Sequence, residues 1–159
     1  MKNIIVRIVK LPPMRVAYTR AVSKTPEDDA SKVLHAWAKS KGFLDNHTKH
    51  HFFGYNNPPP SAPDTPYGYE CLITIGPDVE AEGEVKIKEI PGGLYAVVRF
   101  GGVENMYEMW NKLMRWAAEN PEYEFDEKNE PGLEELIDPL ETSPDKYLFD
   151  LYLPIKKRG

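Results

Sequence analysis

A single cysteine is all the thiol this chain of 159 residues carries. Cys71 has no partner for an internal disulfide, and its place in the apolar run Cys71-Leu72-Ile73 reads as a buried structural thiol rather than a reactive one. Positive charge is in deficit: 20 Lys and Arg stand against 25 Asp and Glu, for a net charge of −5. That balance argues against a nucleic-acid surface, which would be basic. The one basic cluster, Lys156-Lys157-Arg158, lies at the end of the chain and reads as a solubilising tail. No apolar run approaches the roughly 18 residues of a membrane span, and no signal-peptide pattern opens the chain. A cytoplasmic protein without membrane contact is the expectation.

Catalytic and cofactor signatures are sparse as well. Gly92-Gly93 and Gly101-Gly102 are turn glycines without a phosphate-loop context, so nucleotide binding has no support. No nucleophile elbow and no Cys–His pattern is present. His47, His50 and His51 cluster, but at a spacing unlike a zinc pattern and with no nearby cysteine, so a solvated group is expected and neither metal nor cofactor is assigned.

What the chain does have is a repeat of itself at an offset of 79 to 80 residues. Val6, Ile8, Pro12, Ala17 and Arg20 return as Val85, Ile87, Pro91, Ala96 and Arg99. Further on, Leu34, Trp37 and Ala38 return as Leu113, Trp116 and Ala117. With one inserted residue, Tyr67, Tyr69 and Ile75 return as Tyr147, Phe149 and Ile155. Self-similarity through strand, turn and helix is a fold-level signal. It predicts one α+β domain over residues 1–159, made of two pseudo-symmetric βαββ modules (about 4–80 and 83–157) with antiparallel sheets and one main helix each.

The elements follow from local pattern. Alternation predicts strands at 4–10 and 14–22, interrupted by Pro12-Pro13, and at 85–90 and 94–100, joined as a hairpin by Pro91-Gly92-Gly93. A first helix is predicted from Thr25 as N-cap and Pro26 as first helical residue, with Ala30, Val33, Leu34, Trp37 and Ala38 on its apolar face and Gly42 as its stop. A second is predicted from about Glu104 to Glu119, with Met106, Met109, Trp110, Leu113, Trp116 and Ala117 inward and Pro121 as terminator. Further strands are predicted near 50–56, 67–75, 133–137 and 147–155. The proline-rich stretches 56–63 and 138–144, and the acidic stretch 120–132, read as loops.

The ordered set Val6-x-Ile8-x-x-Leu11-Pro12-Pro13-Met14-x-Val16-Ala17-Tyr18, Trp37-Ala38, Ile90-Pro91-Gly92-Gly93-x-Tyr95-Ala96-Val97 and Asp150-Leu151-Tyr152-Leu153-Pro154-Ile155 resembles the GyrI-like, or AraC-type effector-binding, domain over about residues 4–157. The resemblance implies paired βαββ modules with a ligand groove where the halves meet. It implies a receptor for lipophilic, often cationic drugs, or, in stand-alone relatives, a gyrase-inhibitor type or a hydrolase of cyclopropane-bearing antibiotics. With the first strand so close to Met1, a preceding DNA-binding segment is not expected, so no direct contact with nucleic acid is expected either.

Site residues are sought where the repeat is broken, because a specific site needs symmetry less than a core does. Glu134 falls opposite Gly54, and Trp110 opposite Ser31. The resemblance points to the same pair: Leu133-Glu134-x-Leu136-x-Asp138-Pro139 is similar to the strand that carries a pocket glutamate, with Leu136 where relatives often have tyrosine. A carboxylate in an apolar cavity favours a cationic ligand, and aromatic walls add attraction without demanding one ligand shape. The candidate ligand-binding set is Glu134, Trp110, Met106, Tyr107, Trp37, Tyr55, Tyr69, Leu136 and Phe149. Trp37 is equivalent to Trp116, and that equivalence favours core packing for the pair over a ligand contact. The leading expectation is a non-catalytic binding protein for amphipathic cationic aromatic molecules. The alternatives are a hydrolase in which Glu134 is the catalytic acid or base, with Tyr55, Tyr69 or Glu70 as its second polar group, and a protein-interaction module.

Overall fold

The prolines that interrupt the repeat also divide the fold. The computed structural model describes residues 4–45, 49–129 and 132–159. In it the chain separates into a first unit, Met14–Ile90, and a second, Met1–Pro13 with Pro91–Gly159. The class is α+β, with antiparallel strand pairing and, among the described residues, two α-helices.

The first unit contains β2 (Met14–Ser23), α1 (Pro26–Ser40), β3 (Phe52–Asn56), β4 (Tyr67–Thr74) and β5 (Lys86–Ile90), numbered from the strand β1 (Arg7–Leu11) that opens the other unit. Its sheet runs β3-β4-β2-β5, antiparallel throughout. The second unit adds to β1 the elements β6 (Gly93–Gly101), α2 (Met106–Glu119), β7 (Tyr123–Phe125), β8 (Leu133–Leu136) and β9 (Leu148–Lys157). Its sheet runs β1-β6-β9-β8, and β7 pairs with β9.

The hairpin expected around Pro91-Gly92-Gly93 is not formed. β5 pairs with β2, from Met14↔Ile90 to Tyr18↔Lys86, and β6 pairs with β1, from Arg7↔Val97 to Leu11↔Gly93. The opening strands of the two repeats are thus exchanged. Proline explains why neither connection folds back: it lacks the amide donor and fixes φ, so Pro12-Pro13 and Pro91 carry the chain onward instead of closing a tight turn. At Gly92 an added Cβ would run into Leu11 O and stand 2.5 Å from Pro12 C. The stretch Leu11–Pro13 therefore lies directly on Gly92, and only a residue without a side chain leaves room.

α1 forms as its sequence suggests. Pro26 sits in the first turn, Glu27, Asp28 and Asp29 place negative charge at the positive end of the helix dipole, and Pro26, Ala30, Leu34, Trp37 and Ala38 are its buried face. Thr25 occupies the N-cap position without a side-chain cap bond; its hydroxyl and that of Ser23 instead donate to Asp29. Gly42, at φ 74°, follows the helix end. α2 is buried through Leu113 and Ala117, which pack with Ala96, Val98, Leu151, Leu153 and Ile155.

Three further expectations change. The stretch 120–132 is not all loop: Tyr123 and Phe125 pack on the second unit's core while β7 pairs with the end of β9. The basic end is not a free tail. Arg158 donates to Asn120 O, Ala117 O and Ala118 O and pairs with Glu124, satisfying carbonyls that the end of α2 leaves open. Cys71 is half-buried rather than buried, in register with Thr19 and Gly54.

Candidate functional site

β8 is only four residues long, and its register decides where its two glutamates point. Glu134 pairs with Leu151 and Leu136 with Phe149, whereas Leu133 pairs with Tyr152 and Glu135 with Asp150. Leu151 belongs to the core beneath α2, so Glu134 and Leu136 face that helix. Glu135 faces the other way.

On the helix side, Trp110 donates its indole N–H to Glu134 Oε2 at 2.9 Å. The six-membered edge of the same ring lies over Gly132, where an added Cβ would stand 2.8 Å from Trp110 Cη2 and 3.3 Å from Cζ3. The indole therefore spans the two-residue repeat of the strand, its nitrogen on Glu134 and its far edge on Gly132. Both Trp110 and Glu134 are half-buried. The indole is a neutral donor, so it solvates the carboxylate without cancelling its charge. Met106, Met109 and Phe100 pack around the same core, and Phe149, buried opposite Leu136, stacks on Phe100 at 5.5 Å. Tyr107 is 80% exposed, on the outer side of α2.

Six of the nine residues singled out by sequence, Glu134, Trp110, Met106, Tyr107, Leu136 and Phe149, lie in the second unit. Trp37, Tyr55 and Tyr69 lie in the first and are not gathered into one group. Trp37 is in the buried face of α1, edge-on to Phe43 at 5.6 Å. Tyr69 occupies the space left by Gly54: a Cβ there would run into Tyr69 Oη and stand 2.6 Å from its Cε2. The repeat counterpart of the Glu134 position, a glycine, is therefore filled by a tyrosine from the neighbouring strand.

Tyr55 belongs to a polar cluster on the sheet face turned away from α1. Glu70, 3% exposed, accepts from Tyr55 Oη at 2.8 Å, from Asn57 Nδ2 at 2.5 Å and from Lys88. Lys88 also donates to Tyr55 Oη and rests 4.3 Å above the Tyr18 ring. Burial opposes ionisation of Glu70, but the bonds from Lys88, Asn57 and Tyr55 outweigh it and hold the carboxyl below its ordinary value. Burial likewise works against the Lys88 charge, and Glu70 and Tyr55 more than restore it, holding the ammonium above its ordinary value. Burial pushes the Tyr55 phenol up.

The second unit has its own polar cluster, which sequence reading missed. Glu135, 6% exposed, accepts from Tyr152 Oη at 2.7 Å, and Tyr95 stands edge-on to Tyr152 at 5.8 Å. Burial and the Glu135 carboxylate drive the Tyr152 phenol far above its ordinary range. Beside them Asp150 is held by Arg99 through two bonds of 2.8 and 3.0 Å and by Arg7 at 3.0 Å. The signal for this cluster was available: at the repeat offset of 80, Glu70 falls on Asp150 and Tyr55 on Glu135.

Of the histidines, His47 lies outside the described residues. His50 is half-buried rather than solvated, stacked on Phe43 at 4.4 Å with Nδ1 2.8 Å from Thr74 O. A surface cleft of about 370 Å³ is lined by Lys41, Phe43, Asp78, Val79, Glu80, Ala81 and Glu82, and none of the nine sequence candidates lines it.

A family model described as the GyrI-like small molecule binding domain matches residues 5–156. No curated protein matches the sequence. Among solved structures, the C-terminal domain of EcmrR superposes with a TM-score of 0.72 at 15% identity, covering 98% of this chain and 99% of that domain. In the EcmrR–DNA complex the match has a TM-score of 0.71 at 15% identity and covers 96% of this chain, which spans only 57% of the EcmrR chain. A hydrolase from Listeria innocua superposes at 0.67 with 12% identity, covering 98% and 94%. SAV2435 bound to tetraphenylphosphonium superposes at 0.55 with 14% identity, covering 95% and 93%. At these identities the likeness is one of fold.

Proposed function

Because the chain belongs to the GyrI-like small-molecule-binding family, we propose that it binds amphipathic cationic aromatic molecules beneath α2, with Glu134 as the charge partner. The observation that carries this reading is the placement of Glu134: a half-buried carboxylate facing the helix, bonded by a neutral indole N–H within an apolar surround of Met106, Met109, Leu136 and Phe149. A cation brought there gains attraction at reduced dielectric, and aromatic faces add about 0.5–2 kcal/mol each. The tetraphenylphosphonium carried by SAV2435 supports the same class of ligand. A cytoplasmic setting belongs to this reading, since a single cysteine forms no internal disulfide; no helix among the described residues is long and apolar enough to cross a membrane.

The test is charge selectivity. Titration with rhodamine 6G and with an anionic sulforhodamine should give micromolar, saturable binding of the cation alone. Equal binding of both dyes, or of neither, removes the reading. In the latter case a protein partner becomes the better hypothesis.

A further inference from the structure

The Trp110–Glu134 bond carries a second consequence, which rests on the binding reading above. We infer that Trp110 is the site's internal occupant: its N–H fills the place a ligand cation must take, so binding requires the indole to leave Glu134.

Three observations support this. The bond at 2.9 Å puts a donor on the carboxylate oxygen Oε2, in the position a ligand's charged group would seek. The ring has a prepared bed, because Gly132 offers no side chain and an added Cβ would stand 2.8 Å from the indole edge. The part of α2 that carries Trp110 is also the less buried. Its fully buried residues are Leu113 and Ala117, farther along the helix, whereas Met106, Met109 and Trp110 are half-buried and Asn105 makes no side-chain cap bond. A rotamer change of one half-buried side chain is an ordinary motion and needs no rearrangement of the sheet.

In the first unit the corresponding space is filled by a different ring. The Tyr69 ring fills the space over Gly54, and with no carboxylate at that position a cation gains nothing by displacing it. The second unit instead pairs a removable plug with a charge that outlasts its removal. The plug gives Glu134 a hydrogen bond when no ligand is present, which reduces the cost of a half-buried carboxylate. It also sets a threshold: a ligand with neither a positive charge nor a hydrogen-bond donor has no means of compensating the lost indole bond.

Substitution separates a plug from a wall. Trp110→Phe keeps an aromatic ring but removes the N–H. If the indole competes with ligand, Trp110→Phe should bind rhodamine 6G about tenfold more tightly than wild type, measured by dye anisotropy, since the competing charge-assisted bond is gone. Unchanged or weaker binding by Trp110→Phe, with wild type still binding, overturns the plug while leaving the binding function intact. Failure of both proteins to bind the dye overturns both. A second readout does not depend on the folding of the variant. In wild type the Trp110 indole proton resonance should move upfield when rhodamine 6G saturates the site, in the same direction as in Glu134→Gln. A resonance that stays in place at saturation contradicts displacement.

Discussion

Glu134 and Glu135 are neighbours in sequence and face opposite sides of β8: one is bonded by Trp110 on the helix side, the other by Tyr152 on the far side. The two-residue period of a strand makes this separation automatic. It gives each carboxylate a different neighbourhood: a half-buried one beneath α2 and a nearly sealed one beside Asp150 and its two arginines. Removing one should affect ligand binding, and disturbing the other should affect stability.

Tyr152→Phe tests the second part. Glu135 then loses the phenol donor within a site 6% exposed. A loss of about 1–3 kcal/mol in unfolding free energy is expected by urea denaturation. Affinity for a cationic dye should change little.

The Glu70–Lys88 pair makes stability depend on pH at both ends. Glu70 titrates below its ordinary value in the fold, so its contribution is complete above about pH 4.3 and is lost as pH falls through the lowered folded value. Lys88 titrates above its ordinary value, so its contribution is complete below about pH 10.4 and is lost as pH rises through the raised one. Lys88→Met should cost about 2 kcal/mol at pH 7, less than a fully buried pair because the lysine keeps some exposure. The difference from wild type should shrink in acid as Glu70 protonates. A difference that is constant from pH 3 to pH 7 would count against the pairing.

The exchanged strands depend on Gly92. Gly92→Ala drives a methyl into Leu11 O and the Pro12 carbonyl carbon, both backbone atoms. A loss above about 2 kcal/mol is expected. Gly76→Ala, where an added Cβ meets nothing within 4 Å, should stay within about 0.5 kcal/mol of wild type and serves as the control.

Arg158 should behave as a helix cap rather than as surface charge. Arg158→Ala leaves the carbonyls of Ala117 and Ala118 without its guanidinium. A cost of about 1 kcal/mol is expected, with faster amide exchange confined to the last turn of α2.

Much of this architecture could be read from residues. The apolar stripe Ala30, Leu34, Trp37 and Ala38 and its copy Leu113, Trp116 and Ala117 place both helices, because amphipathic period is a local property. The breaks in the repeat singled out Glu134 and Trp110, and these two side chains are hydrogen-bonded. What escaped depends on partners distant in sequence. Pro91-Gly92-Gly93 has the length and glycine of a hairpin, and only the pairing of β5 with β2 shows that the chain passes straight through it. Tyr123 and Phe125 form a strand because the end of β9 is there to pair with, which a three-residue pattern cannot announce. Glu135 carries no local sign of burial, because its partner Tyr152 is 17 residues away. At Gly54 a glycine alone does not announce the tyrosine that fills its space from the next strand.

The most direct measurement is the dissociation constant of rhodamine 6G for wild type and for Glu134→Gln, by dye anisotropy at one ionic strength. Neutralising the carboxylate while keeping its shape should weaken binding about tenfold or more, with the melting temperature nearly unchanged. Equal affinity in the two proteins would contradict the role of Glu134 as the charge partner.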